Sequence, residues 1–221
     1  MDVITLFLIF FILLMLSVPI GYAIGIATLI TLISFSNIPI TMIAQNAVAG
    51  VDSFPLLAIP FFMLAGNLMS SGGIAKRLVD FFENIIGHIT GGLGMVTVVV
   101  CMFFAAISGS AVATVSAVGA FMIPEMVKHG YSKSFSAALT AAAGTIGVII
   151  PPSVPFVIYG VVSGSSITEL FTAGFLPGIL MGVALIIICY IVSKKNGYKG
   201  TDKKISLKDI LISFKKAFWA I

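Results

Sequence analysis

Charge is what this sequence has least of. Only 9% of its residues are Asp, Glu, Lys or Arg, in a 221-residue chain that is 59% hydrophobic with a mean hydropathy of +1.19. Soluble domains carry about a quarter charged residues. The deficit excludes an ordinary globular domain and leaves an integral membrane protein. The strict apolar–polar alternation of a membrane β-barrel is also missing, and continuous apolar runs at 3–16 and 180–192 favour helices. Cysteine is scarce too. Cys101 and Cys189 each sit in an apolar run, which suits buried small hydrophobes, and no CxxC or Cys/His cluster suggests a metal centre. The two histidines, His88 and His129, lie far apart beside charged segments. At the N-terminus there is neither a basic flank nor a small-residue cleavage site, so 3–16 reads as a retained span rather than a signal peptide. The net charge of +4 does not point to nucleic acid, because most of the twelve basic residues gather between Lys194 and Lys216. That cluster reads as a cytoplasmic loop.

Within the apolar runs stand two interruptions, Ile107-Ser108-Gly109-Ser110-Ala111 and Gly147-Val148-Ile149-Ile150-Pro151-Pro152-Ser153. Backbone at membrane depth must have its hydrogen bonds satisfied, so broken helices occur there only where they face protein or a polar cavity. Two such breaks point to an ion and substrate site in a transporter.

A pass along the chain gives the expected organisation. The run 3–36 would measure roughly 50 Å as one helix, against the roughly 20 residues a bilayer core requires. Pro19 and Gly21 divide it into spans at about 3–17 and 20–36, with one kinked helix as the alternative. Residues 37–53 should form an interfacial loop or short surface helix. A span at 54–69 should stop at Ser70-Ser71-Gly72-Gly73. In 74–89, Ile74, Leu78, Phe81, Phe82, Ile85 and Ile89 recur at helical spacing opposite Lys76, Arg77 and Asp80, the pattern of a helix lying along the membrane surface. Residues 93–126 predict either a helical hairpin with its tip at Ser108-Gly109-Ser110 or a single tilted helix; each half of the hairpin would be about 15 residues, too short to cross. A polar loop at 125–133 should contain a solvated Glu125–Lys128 pair. Residues 134–162 predict a helix broken by Pro151, Pro152 and Pro155. A last span follows at 170–192, with a possible kink at Pro177-Gly178, and 194–216 should be a basic loop.

Every Lys and Arg falls in 74–89, 125–133 or 194–216, which places those segments in the cytoplasm, while 37–53 and 163–168 should face outward. With 93–126 re-entrant and 3–36 split, the N-terminus is outside, residue 221 is inside, and the number of crossings is odd, as an inverted repeat requires. Residues 215–221 look like a basic flank followed by the first turn of another span, with Trp219 as an interfacial anchor, so the chain reads as the first half of a longer protein.

Four segments carry a family resemblance: Val18-Pro19-Ile20-Gly21-Tyr22-Ala23, Ile59-Pro60-Phe61-Phe62-Met63-Leu64-Ala65-Gly66-Asn67-Leu68-Met69, Ser108-Gly109-Ser110-Ala111, and Gly144-Thr145-Ile146-Gly147-Val148-Ile149-Ile150-Pro151-Pro152-Ser153. Together with Phe171-Thr172-Ala173-Gly174-Phe175-Leu176-Pro177-Gly178 they resemble the N-terminal half of the large membrane subunit of tripartite ATP-independent periplasmic (TRAP) transporters. The resemblance implies an all-α integral membrane fold, the first inverted repeat of an elevator-type transporter with a re-entrant helical hairpin and a broken transmembrane helix. It implies sodium-driven uptake of an organic acid of the sialic acid or dicarboxylate type in the bacterial inner (cytoplasmic) membrane. The implied partners are a periplasmic substrate-binding protein and a small four-helix membrane subunit. In these terms 1–72 are scaffold helices, 73–92 a cytoplasmic arm, 93–163 the transport-domain hairpin and broken helix, 164–193 a transmembrane helix, and 194–221 a basic loop leading to a second repeat.

Unwound backbone offers carbonyl oxygens, which suit Na+ without any carboxylate. The sodium candidates are Ser108, Gly109, Ser110 and Ala111 from the tip, with Gly144, Thr145, Gly147, Val148, Ile150 and Pro151 from the break. Ser110, Pro152 and Ser153 are candidates for the substrate, whose carboxylate half-helix N-termini would receive. Two other readings compete with a TRAP subunit: another sodium-coupled anion transporter of related hairpin architecture, and a channel. A channel calls for polar or charged rings, and no span carries such a stripe. An intramembrane enzyme is disfavoured, since no His or carboxylate lies in an apolar run to activate a serine.

Overall fold

The computed structural model describes residues 2–35, 39–201 and 207–218, and every regular element among them is helical. Position 37 of the expected surface segment and Trp219 lie outside the described residues. The chain divides into two compact units, 1–53 and 54–221.

In the first unit, α1 (Asp2–Met15) and α2 (Ile20–Phe35) pack on each other. The expected split of 3–36 is present. Ser17 closes α1 in the left-handed region at φ 60°, donating its N–H to Leu14 O while Val18 N–H reaches Leu13 O; these paired bonds satisfy the last carbonyls of the helix. On α2 the buried residues are Ala23, Ala27 and Thr31, four apart, so backbones approach closely along one stripe. The expected surface segment contains α3 (Ile40–Val51).

The second unit opens with a 3-10 turn (Phe54–Leu57) and α4 (Ala58–Ser71). The helix stops where the glycines were expected to stop it, with Gly73 left-handed at φ 71°. Within this unit α4 packs on α6.

The amphipathic helix is α5 (Ile74–Ile86), packed against both α6 and α11. Two partners widen the buried arc beyond the expected stripe. Ala75, Leu78 and Val79 are buried, Phe82 meets Phe103 of α6 at 5.0 Å, and Phe81 meets Phe214 of α11 at 5.6 Å. Ile89 lies past the helix end and is exposed.

Two antiparallel helices follow, α6 (Gly92–Ser108) and α7 (Ala111–Lys128). They form the expected hairpin, since Thr97 Oγ1 near the start of α6 lies 3.4 Å from Met126 Sδ near the end of α7. Their lengths, 17 and 18 residues, exceed expectation. At about 27 Å, α7 approaches the thickness of a bilayer core, and α7 and α10 are each long and apolar enough to cross one. The hairpin therefore follows from the proximity of its open ends, not from the shortness of its arms. Glu125 and Lys128 pair at 3.8 Å as expected, but within the last turn of α7 rather than in a loop.

The broken element comprises α8 (Lys133–Gly144), a 3-10 turn (Thr145–Val148), an irregular segment with a cis Pro151–Pro152 bond, and α9 (Val154–Ser163). Then α10 (Ile167–Asn196) runs 30 residues with Pro177 inside it. The expected basic loop at 194–216 is a correction. Lys194 and Lys195 end α10, and α11 (Leu207–Ala217) is a helix that lays Ser213, Ala217 and Phe214 toward α5. Its apolar residues at helical spacing outweigh the lysines that flank them.

Residues 198–201 strap the base of the hairpin. Tyr198 O accepts from Gly91 N at 3.2 Å, Gly87 O accepts from Thr201 N at 2.9 Å, and Tyr198 Oη accepts from Ser132 N at 3.2 Å. The Tyr198 ring stacks on Tyr131 with centroids 4.5 Å apart. The Tyr131 hydroxyl faces Leu93, Gly94 and Ser193 but makes no hydrogen bond of normal geometry. Burial first, then the nearby Cys189, pushes this phenol from 10.0 up to about 12. The unfolded chain loses the proton first as pH rises, so Tyr131 contributes stability below pH 10 that is lost towards pH 12. An unpartnered buried hydroxyl costs about 1–3 kcal/mol. Tyr131→Phe is therefore expected to match or raise the thermal midpoint in detergent at pH 7 and to flatten its decline above pH 10. A lower midpoint at pH 7 would show that the hydroxyl holds the strap.

Candidate functional site

Each break is built locally. Gly109 ends α6 at φ 60°, donating its N–H to Ala105 O at 3.0 Å. Ser110 then turns extended and caps α7, its hydroxyl accepting from Ala113 N at 3.4 Å. In the second break the N–H groups of Ile149 and Ile150 both reach Ile146 O at 2.9 Å, and Pro151 and Pro152 have no N–H to continue. Ser153 caps α9 by accepting from Phe156 N at 3.3 Å, and it donates to Val148 O at 2.7 Å, so one hydroxyl ties both sides of the break.

The two breaks touch. Val154 N donates to Gly109 O at 3.4 Å. A Cβ on Gly109 would stand 2.6 Å from Pro152 O. One on Gly147 would stand 3.1 Å from Thr114 Oγ1 and 3.2 Å from Ser110 O, and one on Gly144 would strike Val115 and lie 3.4 Å from Ala111 O. Glycine at these positions is what lets backbone meet backbone. The C-termini of α6 and α8 and the N-termini of α7 and α9 thus converge on one seam. Carbonyl ends favour a cation and N–H ends a carboxylate.

The seam is neutral. No Asp, Glu, Lys or Arg occurs in 93–124 or 134–168, and among the described residues no group of acidic, His or Cys side chains suited to a metal is present. Ser108, Thr114 and Ser153 are at most 1% exposed. The carbonyls of Ile150, Pro151 and Pro152 accept no backbone hydrogen bond among the described residues. Uncharged oxygens with unused lone pairs fit a monovalent cation. A cavity of about 780 Å³ lies elsewhere, beside the far end of α7, with Lys76, Asp80, Glu83, Glu125 and Lys128 in its lining.

Of the candidates read from the sequence, the fold brings Ser108, Gly109, Ser110 and Ala111 together with Gly144, Gly147, Pro152 and Ser153, and buries Ile150 and Pro151 beside them. Thr145 is placed differently. It is exposed, with its hydroxyl donating to Ala142 O at 2.7 Å. The Val148 carbonyl is occupied by Ser153, and the Ser110 carbonyl by both the amide and the hydroxyl of Thr114, at 3.1 and 2.8 Å.

Sequence reading missed four supporting residues. Gly66 of α4 abuts the tip: its Cβ position is 3.2 Å from Ser108 Cα and Cβ. On α10, Gly174 faces Ile149 O and Phe156, and Gly178 faces Ile150. Thr114 links tip and break. The four-residue spacing of Gly174, Gly178 and Gly182 is a readable small-residue stripe; Thr114 carries no such signal. The crowding at Ser108 also changes which substitution is informative. A bulky side chain there has no room beside Gly66, so Ser108→Ala is the clean probe.

Comparison with known proteins places the sequence in a family. The family model described as "Tripartite ATP-independent periplasmic transporter, DctM component" matches residues 7–221. The chain is 48% identical over 94% of its length to an isethionate TRAP transporter permease protein DctMQ of Oleidesulfovibrio alaskensis, covering 33% of that relative. It is 42% identical over 92% of its length to a sialic acid TRAP transporter large permease protein SiaM of Vibrio cholerae, covering 47%. A C4-dicarboxylate TRAP transporter large permease protein DctM of Pseudomonas aeruginosa shares 40% over 90% of the chain, covering 46%. The chain thus spans about half the length, or less, of these relatives. Matched by the family model over residues 7–221 and by relatives at 40–48% identity, the chain belongs to the DctM component family of the tripartite ATP-independent periplasmic transporters.

Proposed function

We propose that this chain is part of a large permease subunit that couples sodium entry to uptake of an organic acid, of the sialic acid, dicarboxylate or sulfonate type that its relatives' names carry. The observation that supports the reading is the seam itself. There, buried neutral oxygens from two broken helices face one another without a charged side chain. Sodium would be held by the Ser108 hydroxyl and by the free carbonyls of Ile150, Pro151 and Pro152, with Gly109, Ala111, Gly144 and Gly147 keeping the backbones close. A bound cation supplies the positive charge that an anionic substrate otherwise lacks here. The N-termini of α7 and α9, at Ser110 and Ser153, place the positive ends of their dipoles beside its carboxylate or sulfonate, with direct donation left to α7, since the Val154 and Phe156 N–H groups of α9 are engaged by Gly109 O and Ser153 Oγ.

In this reading the hairpin is re-entrant, with Thr90 and Lys128 both on the cytoplasmic side of the bacterial inner membrane and the N-terminus in the periplasm. The α5 helix acts as an arm between a scaffold and a mobile elevator body. A small four-helix membrane subunit and a periplasmic substrate-binding protein complete the system. The positive-inside distribution supports the orientation.

The test is uptake into proteoliposomes containing the full-length permease, its small subunit and the substrate-loaded periplasmic protein. An inward sodium gradient is expected to drive accumulation, and replacing sodium by potassium to abolish it; equal uptake in both overturns the sodium coupling. For topology, single cysteines at the exposed Thr90 and Lys128 positions should react with an impermeant maleimide from the same side. Labelling from opposite sides refutes the re-entrant hairpin.

A further inference from the structure

We propose that Thr114, one turn into α7, is a positioning residue that sets which tip oxygens are presented to a cation; this rests on the sodium reading above. Thr114 is fully buried. Its Oγ1 lies 2.8 Å from Ser110 O and 3.0 Å from Ser108 Oγ, and its amide donates to Ser110 O at 3.1 Å. A carbonyl only accepts, so the one hydroxyl proton of Thr114 goes to Ser110 O. The bond between the two hydroxyls is then donated by Ser108.

Two consequences follow. The Ser110 carbonyl receives two donors and has no lone pair left for a ligand. Ser108 directs its proton into the protein, towards Thr114, and keeps its lone pairs for the seam. Its other contacts are weak: 3.4 Å to Ser110 O and 3.5 Å from Ser110 N. Without the Thr114 hydroxyl, the Ser108 proton turns to another acceptor, such as Ser110 O or a carbonyl of the preceding turn of α6, and the ligand oxygen rotates with it. Gly147 lies against the same hydroxyl, with its Cβ position 3.1 Å from Thr114 Oγ1. Thr114 therefore orders the tip and the backbone of the break together, although it has no lone pair directed at the cation that Ser108 does not mediate.

The experiment follows the thermal midpoint of the purified full-length permease in detergent as NaCl replaces choline chloride at constant ionic strength. Thr114→Val keeps the shape and removes the hydroxyl. It is expected to raise the half-saturating sodium concentration roughly tenfold or more, the scale of a lost buried hydrogen-bond partner. Thr114→Ser is expected to stay within about threefold of the parent by restoring the same donor. Thr140→Val serves as the control for a purely structural loss: Thr140 is also fully buried and donates to its own i−4 carbonyl at 2.8 Å. It should lower the midpoint without moving the sodium dependence. A parent protein whose midpoint ignores sodium overturns the cation site and this proposal with it. A parent that responds while Thr114→Val responds at the same concentration overturns the proposal alone, as does failure of Thr114→Ser to rescue. Should Thr114→Val not fold, Thr114→Cys replaces it, the thiol being a weak donor; equal sodium dependence for the Cys and Ser variants then overturns the proposal.

Discussion

Gly109→Ala is expected to be among the most damaging single-methyl additions in this protein. Gly109 sits at φ 60°, where an L-residue costs roughly 1–2 kcal/mol. Its new Cβ would also stand 2.6 Å from Pro152 O, a backbone atom that cannot rotate away. Overpacking of this kind adds about 1–3 kcal/mol, for a total near 2–5 kcal/mol. Gly164→Ala separates the two causes. Gly164 has nearly the same conformation, φ 71°, but nothing within 4 Å of its Cβ position, so it should lose only the conformational part. Denaturation of both variants in detergent, followed by circular dichroism, measures the difference. Equal losses would mean that the tip does not depend on its contact with the break. In sodium titrations Gly109→Ala should also lose its response, because separating Gly109 from Pro152 opens the seam.

The second large effect is expected at Gly174. There an added methyl meets Ile149 O and the Phe156 ring, so it presses on the backbone of the break itself. Gly182, two turns further along the same face, would instead meet the end of the Met102 side chain. Methionine is unbranched and adapts by rotation. Gly174→Ala should therefore cost about 1–3 kcal/mol and weaken the sodium-dependent rise in midpoint. Gly182→Ala should cost less than about 1.5 kcal/mol, the range of tolerated core changes, and leave the sodium response intact. The reverse order would show that α10 supports the lower hairpin through Met102 rather than the break through Ile149.

Both predictions concern places where one element holds another, and there the legibility of the sequence divides. The punctuation was readable. Ser17-Val18-Pro19, Ser70–Gly73 and Ser108-Gly109-Ser110 lie where helices stop, and Pro151-Pro152-Ser153 lies in the irregular segment that leads into α9, because a missing N–H or a freely left-handed residue acts within one turn of chain. The helix at 207–217 was not readable against the weight of its lysines, since it gains its apolar partner only when Phe214 reaches Phe81. The arms of the hairpin were underestimated for a related reason. The residues flanking the apolar core, such as Glu125 and Lys128, continue the helix into a capped end that composition alone assigns to a loop.

At the candidate site, the sequence by itself determined that two neutral breaks exist, one of serine and glycine and one of glycine and proline, and that no charged residue accompanies them. Local chemistry decides this, because the absence of a donor or of a side chain is a property of each residue. Only the tertiary structure decided which oxygens remain available. It engaged the Ser110 and Val148 carbonyls, turned Thr145 outward, left the Ile150, Pro151 and Pro152 carbonyls without a backbone donor among the described residues, and brought in Thr114, Gly66 and the glycines of α10. A carbonyl's lone pairs are consumed by whichever donor lies within about 3 Å; here those donors lie within five residues, Thr114 on Ser110 and Ser153 on Val148, in turns that Gly66, Gly147 and Gly174 pack against segments far away in the chain.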